Sequence, residues 1–175
     1  MRGILFGVCA ILVAAALADP AATSGGSDRP FSTYGISVQH PPTWFVTTRP
    51  LSFAGNPVYR FSASSVRVRR TSSDTGPCLP GIAKQLPPGA VLVYLREALG
   101  ADRRISLPRM PPRPARFRLP TRPGLCGFTT GASRWIGFKE AGRVFYLGVH
   151  VGDTASPAKK RAVLRLLNGM QIARR

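Results

Sequence analysis

Arg134 to Val151 reads RWIGFKEAGRVFYLGVHV, two runs rich in branched and aromatic residues on either side of Lys139-Glu140-Ala141-Gly142. Such runs around a short glycine-bearing loop predict a β-hairpin, with KEAG as its loop. In the second run Phe145, Leu147, Val149 and Val151 fall on one side of the strand. Val144, Tyr146, Gly148 and His150 fall on the other, because side chains alternate. The first side is expected to be the core and the second the more polar face. Directly downstream, SPAKKRAVLRLLNGM offers Ser156 as N-cap, Pro157 at the first helical position and Asn168-Gly169 as the stop. Ala162, Val163, Leu166, Leu167 and Met170 form one stripe, with Lys159, Lys160, Arg161 and Arg165 outside it. That is an amphipathic helix made to lie on a sheet. The expected fold class is therefore α+β: a single domain with an antiparallel β-sheet and a C-terminal amphipathic helix packed on it. A length of 175 residues suits one hydrophobic core.

Working upstream, GISVQHPPTWFVTT alternates Ile36 and Val38, then Trp44 and Val46 after a Pro41-Pro42 corner, which predicts a strand, a turn and a further strand. NPVYRFSASSVRVRR sets Val58 and Arg60 against Tyr59 and Phe61, then Val66 and Val68 against Arg67 and Arg69. Two short strands or one bent strand fit this alternation. TSSDTGPCLPG is turn chemistry, and a short helix is expected over 82–86, stopped by Pro87-Pro88-Gly89. AVLVYLREAL, with its β-branched and aromatic front half, is expected as a strand.

The chain opens MRGILFGVCAILVAAALADP, one arginine followed by an apolar run that ends Ala16-Leu17-Ala18. This is the layout of a secretory signal peptide over 1–18, cleaved after Ala18. The run is short for a permanent span, which needs about 20 apolar residues, so an N-terminal membrane anchor is the alternative reading. Residues 19–33, small and polar at first, are expected as a flexible leader, and 34–175 as the domain. Without the signal two cysteines are left, Cys78 and Cys126. In an oxidising compartment a Cys78–Cys126 disulfide is the simplest pairing, and two buried free thiols are the alternative.

The order of parts, GISVQHPPTWFV, then RWIGFKEAGRVFYLGVHVG, then AVLRLLNGMQI, resembles uncharacterised exported bacterial proteins and, more distantly, the Mog1/PsbP-like α/β fold. The resemblance implies binding or accessory roles and carries no catalytic residue to any position here.

Lys and Arg number 25 against 7 Asp and Glu, a formal charge of +18, and only Lys84, Lys139, Lys159 and Lys160 of the 25 are lysines. Such a balance raises anionic envelope polymers, lipid and nucleic acid as partners. The arginines are scattered from Arg29 to Arg175, which favours a coding bias toward arginine over a dedicated anion site. The densest segment, RMPPRPARFRLP, puts Arg109, Arg113, Arg116 and Arg118 among four prolines, and these arginines are the candidate anion contacts. Pro111, Pro114 and Arg116 also satisfy P-x-x-P-x-R, a match to polyproline-reading grooves that export makes accidental. The plain reading of the segment is an extended, solvated connection between a central strand and the hairpin. Nucleic acid is disfavoured as a partner, because only Phe117 there could stack on a base. Large aromatics at Trp44, Phe45, Phe53, Tyr59 and Trp135 fit either the core or a binding surface.

Enzyme chemistries find few parts. The carboxylates are too few and too dispersed for a paired acid and base, and Asp74 lies in a turn, where an aspartate satisfies backbone groups. His40 and His150 have no partner spacing for a metal and read as surface polar residues. No cofactor is implied. The expected function is a non-enzymatic binding or accessory module, secreted or associated with the envelope, whose basic surface contacts anionic envelope polymers or lipid. The alternatives are a small thiol enzyme using Cys78 or Cys126 with His150, and a cationic effector of anionic lipid or nucleic acid.

Overall fold

The computed structural model describes residues 26–76 and 78–174. The signal peptide expected over 1–18 lies outside the described residues, as do residues 19–25 of the leader. Among the described residues, eight strands and three helices follow in chain order: β1 Arg29–Thr33, β2 Ile36–His40, β3 Phe45–Thr47, β4 Val58–Ser64, α1 Pro80–Gln85, β5 Val91–Ala98, α2 Gly100–Ser106, β6 Ala132–Glu140, β7 Arg143–Val151, α3 Pro157–Asn168 and β8 Gln171–Ile172. They build a five-stranded antiparallel sheet in the order β3-β4-β5-β7-β6 and a three-stranded antiparallel sheet in the order β1-β2-β8. This is an α+β domain with the C-terminal helix packed on the sheet. No helix among the described residues is long and apolar enough to cross a membrane.

The hairpin forms, with a tighter loop than its sequence suggests. Lys139 and Glu140 stay in β6, and only Ala141 and Gly142 turn, both at positive φ (51° and 72°). A two-residue loop with both φ positive matches the right-handed twist of the strands it joins. Phe145, Leu147, Val149 and Val151 are buried as expected, against Val163, Leu166 and Leu167 of α3. The Ser156 hydroxyl caps α3 by accepting the Lys159 N–H, and Pro157 occupies its first turn.

Four expectations are corrected. Residues 29–33 of the expected leader form β1, whose register runs along all of β2, so order begins before Tyr34. The second face of β7 is also buried: Leu125 and Phe128 join Leu51, Tyr59, Leu79, Ile82, Leu92 and Tyr94 in a second apolar cluster. The sheet is therefore covered on both faces, by α3 and the small sheet on one and by α1 and loops on the other. His150 and His40, expected at the surface, are 3% and 8% exposed. His150 packs its ring 4.8 Å from that of Phe128, and His40 Nδ1 lies 2.9 Å from the Pro41 carbonyl oxygen. The Val66–Arg70 alternation, finally, is not a strand. The Ser64 hydroxyl donates to the Val91 carbonyl and the Ser65 hydroxyl accepts the Val91 N–H, which closes the ladder and turns the chain out of the sheet.

Two short elements have no counterpart in the sequence reading. One is α2, which buries none of its residues, and the other is β8, which pairs with β2 through two residues. The short helix α1 begins at Pro80, two residues before its expected start.

Candidate functional site

The proline-rich connection is tied down more firmly than a solvated linker. The Lys139 N–H donates to the Pro111 carbonyl and the Arg113 N–H to the Lys139 carbonyl, so the chain runs along the outer edge of β6. Phe117 is buried against Phe138, and its N–H donates to the Asn168 side chain at the end of α3. The Arg113 guanidinium donates to the Leu167 and Met170 carbonyls at 2.9 and 2.7 Å and pairs with Glu140 at 3.1 Å. A cation on the last carbonyls of a helix satisfies groups that lack intrahelical partners and complements the helix dipole. Arg113 thus fastens α3 to the sheet and is withdrawn from the candidate anion contacts. Arg109, Arg116 and Arg118 are exposed.

Cys78 and Cys126 form the disulfide, closing a separation of 48 residues. Neither offers a thiol to His150, whose Nδ1 is buried with no hydrogen-bond partner among the described residues and whose burial pushes its pKa down. Among the described residues no cluster of His, Cys, Asp and Glu could hold a metal ion.

The arginines that do converge are Arg49, Arg67, Arg69 and Arg70. They line a cavity of about 850 Å³ at the β3 edge of the five-stranded sheet. Its floor follows from strand register: Phe45 faces Ser64 and Thr47 faces Ser62 across β3 and β4, so these four side chains share one face. One wall is the stretch Arg49–Leu51 after β3, and the other is Arg67–Arg70 after β4. All four arginine side chains are exposed, and among the described residues none pairs with a carboxylate.

Two of the guanidinium groups are nevertheless held. Arg67 lies over the Phe45 ring at 5.0 Å, and Arg70 lies over Phe53 at 3.7 Å while donating to the Ser52 carbonyl. A guanidinium stacked on an aromatic face keeps its donor edges free and loses less freedom when it meets a carboxylate or phosphate. The backbone behind them is fixed as well. The Gln85 side chain accepts from the Arg69 N–H and donates to the Arg69 carbonyl, so α1 holds the wall like a short piece of strand. Asp74, fully buried, accepts from the Thr71 N–H and hydroxyl with one oxygen and from the Gly81 and Ile82 N–H groups with the other. This joins the arginine segment to the start of α1. Gly81 is required there, since a Cβ would come within 1.8 Å of the Thr71 hydroxyl.

A second cluster of charge is structural. Glu97, 3% exposed, accepts from both nitrogens of the Arg143 fork at 2.8 Å and from Arg60 Nε. Burial alone would raise the Glu97 pKa, but the hydrogen bonds and charges of Arg143 and Arg60 outweigh it and hold the carboxyl below its ordinary value. A smaller cavity of about 320 Å³ lies between Ile105 of α2 and Trp135 and Tyr146 of the sheet. Its two charged residues are already engaged, Arg96 with the Pro57 carbonyl and Asp102 with Asn56.

Sequence reasoning weighed Phe45 and Phe53 as surface aromatics and noted Arg67 and Arg69, but it did not bring these together with Arg49. The available signal was the arginine run VRVRR beside turn chemistry, where a strand has no reason to continue. Compared with known proteins, the chain matches no family model, no curated protein and no solved structure.

Proposed function

We propose that this chain is a non-enzymatic binding module of the extracytoplasmic space that holds an anionic component of the cell envelope in the cleft between Arg49 and Arg67–Arg70. The observation that carries this reading is the convergence on one cavity of four exposed arginines, none paired with a carboxylate among the described residues, with two of them stacked on phenylalanine rings. A coding bias accounts for many arginines but not for this arrangement. The apolar run ending Ala16-Leu17-Ala18 and the disulfide both suit an exported chain. The net charge of +18 would speed encounter with an anionic surface, while the cleft supplies the fixed contacts.

The test compares two variants that each remove three positive charges, R67Q/R69Q/R70Q in the cleft wall and R109Q/R116Q/R118Q in the connection. Both are applied to a carboxylated matrix and eluted with salt. The cleft variant is expected to elute at clearly lower salt than the connection variant, which stays near the parent protein. Equal elution of the two variants would show that bulk charge alone holds the protein and would overturn the reading.

A further inference from the structure

Resting on that reading, we infer the class of ligand: the cleft takes an anionic polysaccharide, and it engages at least two acidic groups of one chain through two separate guanidinium clamps. The clamps are Arg67 on Phe45 and Arg70 on Phe53, each a planar donor fork set on a ring rather than a free side chain. Phe45 belongs to β3, whereas Phe53 lies in the loop after it and is anchored by its N–H to the Asp74 carbonyl. The clamps therefore stand on different elements, as suits a ligand that extends along the cleft. Arg49 and Arg69 add charge from the two walls between which that chain would lie.

The floor decides among polyanions. It carries the Thr47, Ser62 and Ser64 side chains beneath the arginine walls; the Ser64 hydroxyl is spent on the Val91 carbonyl, which leaves Thr47 and Ser62 as the hydroxyl groups of this concave cavity. A flat lipid surface would meet the rims and leave that floor empty. Single-stranded nucleic acid is bound by stacking its bases on open aromatic faces, and here each phenylalanine already carries a guanidinium on one face. An acidic peptide adding to the sheet would need a long free edge, whereas β3 has three residues. A sugar chain uses the parts present: hydroxyl partners at Thr47 and Ser62 on the floor and a fork for each acidic group.

The experiment is calorimetric titration of the full mature protein at fixed low salt with a size series of oligogalacturonates and of sulfated dextrans. Poly-glutamate, phosphatidylglycerol vesicles and a single-stranded oligonucleotide serve as comparators. Affinity for the sugar series is expected to climb steeply with length until both clamps are engaged and then level off. R67Q and R70Q are each expected to weaken the long chain about tenfold, a change of about 1.4 kcal/mol, and to weaken the monosaccharide, which the remaining clamp still holds, far less. Each is also expected to lower the salt dependence of log affinity by about one counterion. Length-independent binding would overturn the two-clamp assignment. Equal or tighter binding of a comparator, abolished by R67Q/R69Q/R70Q, would overturn the ligand class and leave the anion cleft standing. Binding of any of these anions that R67Q/R69Q/R70Q does not weaken, or no binding at all, would overturn the cleft itself.

Discussion

Glu97 is held between Arg60 and Arg143 at the end of the sheet nearest the hairpin loop, and two consequences can be measured. Removing the carboxylate leaves two buried guanidinium groups without their partner, a situation that typically costs about 3–5 kcal/mol. Glu97→Gln is therefore expected to lower the urea midpoint substantially at neutral pH. The second consequence is pH dependence. Glu97 titrates below its ordinary value of 4.5 in the folded chain, so its contribution is complete above that value and is lost as pH falls through the folded value. His150, buried beside Phe128, also titrates below its ordinary 6.5, so the unfolded chain takes that proton first. Stability is expected to fall in two steps, one setting in below about pH 6.5 and a second in the carboxylate range. Urea titrations across pH test this: His150→Phe should remove the first step and Glu97→Gln the second. An unaltered acid limb in either variant would contradict the assignment of that step. None of this was legible at the level of the residue, because a strand pattern such as YLREAL gives no sign that its charged members are capped by two other strands.

Among the elements, β7 shows how a glycine can be set by a neighbour. A Cβ at Gly148 would lie 2.3–2.7 Å from three atoms of the Tyr94 ring, which crosses that position. The ring cannot move aside, being fully buried with Tyr59 at 5.9 Å and Trp135 at 5.3 Å. Gly148→Ala is expected to destabilise the fold by about 1–3 kcal/mol through overpacking. Most of that cost should disappear in a Tyr94→Leu background, which a double-mutant cycle reads directly. Additive effects would contradict the packing account.

The disulfide acts at the same scale. Cys78 lies just before α1, and α1 holds the cleft wall through Gln85. Replacing both cysteines by serine is expected to lower stability by about 4 kcal/mol from the entropy of the closed loop. It should also weaken anion binding several-fold in the fraction that stays folded, and an unchanged affinity would separate the bridge from the site. The pairing was legible from the cysteine count once the first eighteen residues were set aside. The hairpin and α3 were legible because each has a strong periodic pattern with a turn or cap signal at its end. α2 was not, since it buries no residue and so carries no apolar stripe, and two-residue β8 is too short for any period.

At the scale of the whole molecule, charge and topology work together. The alternation of Val68 with Arg67 and Arg69 was real, but it marks a cleft wall: Val68 packs on the second apolar cluster while the arginines face outward. Arg49 joins them only because the β3–β4 hairpin folds its loop back over the sheet, a long-range event that local sequence does not encode. The densest basic segment misled for the complementary reason: Arg113 and Phe117 were chosen by contacts with α3 and β6 far along the chain.

The most direct test of the cleft is an amide and arginine Nε chemical-shift titration of the isotopically labelled mature protein with a long oligogalacturonate. Perturbations confined to residues 45–51, 62–64 and 67–70, with the Arg67 and Arg70 side chains among the largest, are the predicted result. Perturbations centred on Arg109, Arg116 and Arg118, or spread evenly over the basic surface, would contradict it.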